Sequence, residues 1–380
     1  MRFLFVVAPL VGHVAPMRAV AERLTARGHE VVWAGAGDWL RALLGPAATI
    51  VDCAPARYGE AAIRPPDIHG PEALQFLLDG YLIPLATEML PPTVAAIERF
   101  RPDLVLADQQ TYAGACAAHR AGVPWVTSAS TSAELVEPFT PAIAGWIAER
   151  LATLGGPDPR WSPRLVLAFS TPELAGPVAQ RHPVRWVGPA LPASRSEEWT
   201  PPPPRPLVLV TLGTTNGPAS ERFLRACADA LSARTDLDTL IVDRDGVLGS
   251  VPGVTTAPWI PQLAVLRRTG LVICHGGHNT VCESLWHGVP LIVAPIRDDQ
   301  PVIAGQVVNA GAGVRLRFAR AGAGHVAAAV DTVLGDPGYA AAAARIGDSF
   351  RAAGGAEAAA DALIVEARSP ATVPATVARP

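Results

Sequence analysis

The sequence contains no lysine, so all 31 of its basic residues are arginine. That absence removes a lysine-bearing Walker phosphate loop from consideration. Neither charge is in surplus: 31 basic residues face 34 acidic ones, for a formal net charge of −3. A chain so balanced offers no basic field for nucleic acid and no acidic tail. No apolar run reaches the roughly 18 residues of a membrane-crossing helix, so no membrane span is expected. Cysteine is scarce, and the five residues at 53, 116, 227, 274 and 282 form no CxxC pair. No His/Cys cluster has zinc-ligand spacing, and no metal is expected. An odd number of scattered cysteines argues against a disulfide framework and for a reducing, cytoplasmic setting.

What is there is apolar. Hydrophobic residues make up 49% of the 380 and charged ones only 17%. That is ample for the cores of two or three domains. The exclusive use of arginine, with 34 glycines, 38 prolines and abundant alanine, points to GC-rich coding of actinobacterial type. The start, MRFLFVVAPLVG, has the look of a signal peptide, one Arg before an apolar run. A buried first strand is the better reading: Pro9 and Gly12 cut the run short, and an amphipathic helix follows with no small-residue cleavage site.

Residues 3–8 form a continuous apolar run, as a strand covered on both faces requires. A loop is expected over 9–15 and a helix over 16–27, with Pro16 at its start and Gly28 at its end. A strand at 30–34 completes a βαβ unit. Strands at 104–107 and 125–127 flank a helix at 113–121. The Pro- and Gly-rich excursion at 57–95, with a helix over 72–78, suits a substrate-facing loop. Four consecutive prolines at 201–204 mark a semi-rigid spacer. Beyond it strands are expected at 207–212, 238–242, 271–274 and 291–294, with helices near 219–233 and 280–286. The division is therefore 1–191, a proline-rich linker 192–206, 207–366, and a disordered tail 367–380. Both halves read as doubly wound, Rossmann-like α/β units. Ligands in such folds bind beyond the carboxyl ends of the strands, which directs attention to 9–15, 108–112, 211–217, 275–280 and 295–300.

The most informative stretch is WIPQLAVLRRTGLVICHGGHNTVCESLWHGVPLIVAPIRDDQ, residues 259–300. The buried strand LVIC runs into His275-Gly276-Gly277-His278-Asn279-Thr280 at a helix start. The two glycines let backbone N–H groups approach an anion, and a helix N-terminus favours negative charge. Asn279 and Thr280 add side-chain donors. With no acidic metal ligand beside it, the cradle fits a diphosphate held without obligatory Mg²⁺. Glu283, one turn further along, can accept hydrogen bonds from a ribose diol. Trp259 offers a flat face for a base.

The stretch resembles the signature of the family 1 nucleotide-sugar glycosyltransferases. Trp259, Pro261, Gln262, His275, Gly277, Asn279, Glu283, Ser284, Gly288-Val289-Pro290 and Asp299-Gln300 match its plant form, without a gap from His275 onward. His278 and Gly276 replace the plant tryptophan and cysteine, and the stretch before His275 is two residues shorter, as in a bacterial, natural-product branch. Gly12-His13-Val14 and Arg27-Gly28-His29-Glu30-Val31 are also typical of this family. The resemblance implies the GT-B fold, two Rossmann-like domains facing each other across a cleft, with acceptor in the first and donor in the second. It implies that His275, Asn279, Thr280 and Thr214 contact the diphosphate and that Trp259 stacks on the base. Gln262 would contact base or ribose, Glu283 the ribose hydroxyls, and Asp299 and Gln300 the sugar. Several bacterial relatives using dTDP-deoxysugars lack a carboxylate at the position of Glu283, which favours a UDP-sugar here.

His13 follows the first strand and precedes the first helix. The helix dipole disfavours imidazolium, so a neutral base near pH 7 is expected. In the family the equivalent His removes the acceptor proton and an Asp after a later strand orients it; Asp108 matches that Asp. Phe76, Tyr81, Phe139 and Trp146 are candidates for an acceptor pocket, with core packing the commoner role for each. The reading is an inverting hexosyltransferase acting on a hydrophobic acceptor such as a polyketide or aromatic natural product, as monomer or homodimer, with no cofactor. A dTDP-deoxysugar donor is one alternative. A catalytically silent nucleotide-sugar-binding partner protein is the other.

Overall fold

The computed structural model describes residues 1–58, 70–178, 181–192, 199, 205–213 and 218–369. Most of the expected linker, and 370–380 of the expected tail, lie outside the described residues. Two parallel sheets carry the architecture. The first comprises β1 (Arg2–Val6), β2 (Glu30–Gly35), β3 (Thr49–Asp52), β4 (Leu104–Asp108), β5 (Trp125–Ala129), β6 (Val166–Ala168) and β7 (Val184–Trp186). Its order is β3-β2-β1-β4-β5-β6-β7. The second comprises β8 (Leu207–Thr211), β9 (Asp238–Val242), β10 (Thr255–Ala257), β11 (Thr269–Cys274), β12 (Leu291–Val293) and β13 (Gly313–Arg315). Its order is β10-β9-β8-β11-β12-β13.

The apolar runs are continuous because helices cover both faces. In β1, Leu4 and Val6 pack into one core and Phe3 and Phe5 into another on the opposite face. In β8, Leu207 and Leu209 are divided from Val208 and Val210 in the same way. Each sheet reverses its strand order once, between β1 and β4 and between β8 and β11. Those reversals open crevices at the carboxyl ends of the strands. Among the described residues no helix is long and apolar enough to cross a membrane.

The first helix is Val11–Ala26, not the stretch from residue 16, so Pro16 lies inside it. Leu10 caps it through the backbone, its carbonyl accepting from His13 and Val14 at 3.0 and 3.1 Å. His13 is thereby lifted from a loop into a helical first turn. The expected helix over 72–78 is a helix Gly70–Gln75 that widens into a π-helical stretch, Phe76–Leu82, and continues as Ile83–Phe100.

The last helix, Gly355–Arg368, takes in residues 367 and 368 of the expected tail. It follows the second sheet in sequence but packs on the first: Ala356, Ala359 and Leu363 share a core with Phe3, Val14 and Met17. The preceding helix, Pro337–Ala353, packs with the second sheet through Ala343, Ile346 and Phe350. The chain therefore passes between the sheets twice. The passages touch: the Gly355 N–H donates to the Val187 carbonyl at 2.6 Å. A Cβ on Gly188 would stand 2.7 Å from the Phe350 carbonyl.

Candidate active site

The carboxyl ends of both sheets border one cleft of about 2450 Å³. On the first sheet β1 and β4 are neighbours, with Val6 opposite Ala107. Asp108 thus ends β4 beside the exit of β1, and the first turn of helix Val11–Ala26 brings His13 back over it. His13 Nδ1 lies 2.9 Å from Asp108 Oδ2. Asp108 is wholly buried. Its Oδ1 accepts from the Gln110 N–H at 2.9 Å and the Thr111 hydroxyl at 3.3 Å. A carboxylate only accepts, so the His13 proton sits on Nδ1 and Nε2 is left as the basic nitrogen.

The helix terminus is not the only influence on the charge of His13. Burial pulls its pKa down, but the Asp108 carboxylate, aided by Asp299 and Glu134, pulls harder, and the balance lies above 6.5. Ser130 was not anticipated. Its Oγ lies 2.9 Å from the same His13 Nδ1. The signal was available, since Ser130 follows β5, the neighbour of β4 in the sheet, and its loop borders the same crevice.

On the second sheet β8 and β11 pair with Thr211 opposite Cys274. The next residue, His275, is buried. Its ring fits only because residues 213 and 277 have no side chain: a Cβ there would come within 2.7 and 2.5 Å of it. Burial first, then Arg297, lowers the His275 pKa to about 4. It is a neutral hydrogen-bonding group at pH 7, not a cation. Gly277 caps helix His278–Trp286, whose first-turn N–H groups open on the cleft beside Asn279 and Thr280.

Trp259 is 67% exposed at the cleft wall, an open face for a flat ligand. Gln262 Nε2 donates to Glu283 Oε2 at 2.6 Å. Burial pushes the Glu283 carboxyl up to about 7, against the opposing pull of that bond. Asp299 Oδ2 accepts from the Thr131 hydroxyl of the first domain at 2.7 Å. Asn279 Nδ2 also reaches across, donating to the Gly12 carbonyl at 2.9 Å. Pro16, four residues after Gly12, has no N–H to give that carbonyl. His278 lines the cleft where the plant pattern has tryptophan. Burial, then the nearness of His13, lowers its pKa to about 4.

One expected residue does not join this group. Gln300 is 7% exposed and faces inward, its Oε1 accepting the N–H groups of Ile296 and Arg297 at 2.8 and 3.0 Å. It shapes the turn that carries Asp299 rather than lining the cleft. Thr214 lies outside the described residues. In the first domain Phe76 lines the cleft with Leu74 and Leu77; Tyr81 borders the cleft but is a buried core residue, and Phe139 and Trp146 pack against that core. Among the described residues no group of three or more His, Cys, Asp or Glu converges as metal ligands.

Comparison with known proteins shows the family and the fold. Residues 194–349 match the family model for UDP-glucoronosyl and UDP-glucosyl transferase. Residues 9–145 match that of the erythromycin biosynthesis protein CIII-like N-terminal domain. Elloramycin glycosyltransferase ElmGT of Streptomyces olivaceus is 30% identical over 367 residues, 92% of this chain and 94% of its own. The solved glycosyltransferase of kitacinnamycin superposes with a TM-score of 0.77 at 26% identity, covering 96% of this chain and 98% of that one. Spinosyn rhamnosyltransferase SpnG, complexed with spinosyn aglycone, gives 0.73 at 26% identity, with 96% and 100% covered. The chain belongs to the family 1 nucleotide-sugar glycosyltransferases and is an enzyme of GT-B fold.

Proposed function

We propose that the enzyme moves a hexose from a UDP-sugar to a hydrophobic small-molecule acceptor in one inverting displacement. The observation that carries the reading is the His13–Asp108 pair, 2.9 Å apart, on one wall of a cleft whose other wall holds His275, Asn279, Thr280 and Glu283. The acceptor oxygen attacks the anomeric carbon while His13 Nε2 takes its proton. The sugar–phosphate bond breaks and its electron pair leaves with the diphosphate. Asp108 stabilises the imidazolium so formed. Charge on the leaving group meets the first-turn N–H groups of helix His278–Trp286 and the donors of Asn279 and Thr280, with His275 as a neutral partner. A single displacement turns an α-linked donor into a β-glycoside. No step requires a metal.

UDP is favoured because Glu283, beside Gln262 and Trp259, supplies a carboxylate for two ribose hydroxyls. The apolar wall of Leu74, Phe76 and Leu77 supports a hydrophobic acceptor. So do a relative named for elloramycin and another solved with spinosyn aglycone. A second reading keeps these residues and takes a dTDP-deoxysugar, favoured by the rhamnosyl group in the name of the latter relative. Calorimetric titration with UDP and with dTDP, without added metal, separates the two. Tighter UDP binding that weakens in Glu283→Ala supports the first, and preference for dTDP supports the second. Binding of neither overturns both. Binding without transfer or donor hydrolysis leaves a silent partner protein.

A further inference from the structure

Three consecutive residues after β5 each make a different long-range bond. Ser130 Oγ meets His13 Nδ1 at 2.9 Å. The Thr131 hydroxyl donates to Asp299 Oδ2 at 2.7 Å, and the Ser132 hydroxyl donates to Gln306 Oε1 at 2.8 Å. Asp299 and Gln306 belong to the second domain, and the next residue, Ala133, packs within that domain's core. All three side chains are at most 5% exposed. The segment belongs to the first sheet by sequence and is embedded in the second domain by contact.

The bond to His13 has a definite sense. If Ser130 donated to Nδ1, that nitrogen would turn a lone pair toward Asp108 Oδ2 at 2.9 Å. Two acceptors at that distance repel. Asp108 therefore fixes the proton on Nδ1, and Ser130 Oγ accepts the second branch of the same N–H. The ring is held from two sides.

We propose that Ser130 is a positioning residue for His13, and that residues 130–132 transmit the seating of the second domain to the base. This rests on His13 being the base of the reaction above. The base is then in place only when the donor-side domain is docked, which ties proton removal to a closed cleft. The groups facing His13 are Asp108 from β4, Glu134 from the turn Glu134–Val136, and Asp299 and His278 from the second domain.

The test reads the His13 ring nitrogens by NMR in histidine-labelled enzyme, with UDP-glucose hydrolysis as the activity. Ser130→Ala is expected to lower the His13 titration midpoint by about half a pH unit, since the lost acceptor favours imidazolium most. Hydrolysis should slow about three- to tenfold with UDP affinity unchanged, and Ser130→Thr should restore both. Ser132→Ala and Gln306→Leu cut one bond from opposite sides, outside the cleft. Both should shift the midpoint in the same direction. An unchanged midpoint and rate in Ser130→Ala overturns the positioning role. A shift in Ser130→Ala alone overturns the coupling. Full hydrolysis and transfer in His13→Ala would instead remove the base assignment, independently of the NMR result.

Discussion

Replacing Glu283 by glutamine keeps the shape of the side chain and the bond from Gln262 but deletes a partly buried charge. The carboxyl stands at about 7 rather than the ordinary 4.5, because burial disfavours its ionised form more than Gln262 stabilises it. Between those two values the folded enzyme holds a proton that the unfolded chain has released. Stability therefore falls as pH rises through that window and stays low above it. At about 1.4 kcal/mol per pH unit the gap corresponds to about 3 kcal/mol. The side chain keeps partial exposure, so solvent reduces the effect to about 1–3 kcal/mol. Urea unfolding of wild type and Glu283→Gln at pH 8 should show the variant more stable by that amount. Most of the gain should be absent at pH 5. The same variant should bind UDP about tenfold more weakly, having lost a charge-assisted acceptor, and wild-type UDP binding should strengthen as pH rises through 7. A stability difference identical at both pH values would refute the buried-charge argument. Undiminished UDP binding would refute the ribose role.

His13→Ala should reduce transfer about 10²- to 10⁴-fold without changing UDP affinity in calorimetry. Because Asp108 holds His13 above 6.5, the wild-type rate should climb with pH through a midpoint above that value, and a midpoint well below it would contradict the pairing. Gly277→Ala meets no backbone strain, since φ there is −60°, yet its Cβ would press to 2.5 Å from the His275 ring. UDP binding should weaken at least about tenfold and the fold lose about 1–3 kcal/mol, read by calorimetry and urea unfolding. Trp259→Ala removes a side chain that is 67% exposed. Stability should change by no more than about 0.5 kcal/mol, while nucleotide binding loses about 1–3 kcal/mol of stacking.

The inner strands were legible because two covered faces demand unbroken apolar runs, as in residues 3–6 and 207–210. Outer strands such as Thr255–Ala257 are short and half open to water, so no run marks them. The start of the first helix was misplaced because Pro16 reads as an opening residue. Its missing N–H is tolerated in the second turn because Asn279, 263 residues further on, supplies the donor that Gly12 lacks. The cleft wall of the second domain was legible as one contiguous stretch, from Trp259 to Asp299. His13 and Asp108 were found through family likeness, since their union depends on strand order. Ser130 escaped for the same reason: a serine in a serine-rich loop carries no local mark. The upward pull on His13 was missed although Asp108 was named, because the helix dipole was weighed alone, and Asp299 and Glu134 join Asp108 at the ring only in the fold.

The two passages between the domains are tied at one point, the Gly355–Val187 bond. Like the two leaves of a door hinge, a pair of straps so tied permits swinging about one line and resists sliding and twisting. Gly354 and Gly355, with φ of 89° and 56°, give one strap a sharp bend at that line. Opening of the cleft should therefore be a rotation pivoting near Gly188 and Gly355, with the far lips of the two domains travelling farthest. A chain cut before Gly355 would lose one strap and also the helix that covers Phe3, Val14 and Met17, so the damage would reach the domain at the opposite end of the sequence.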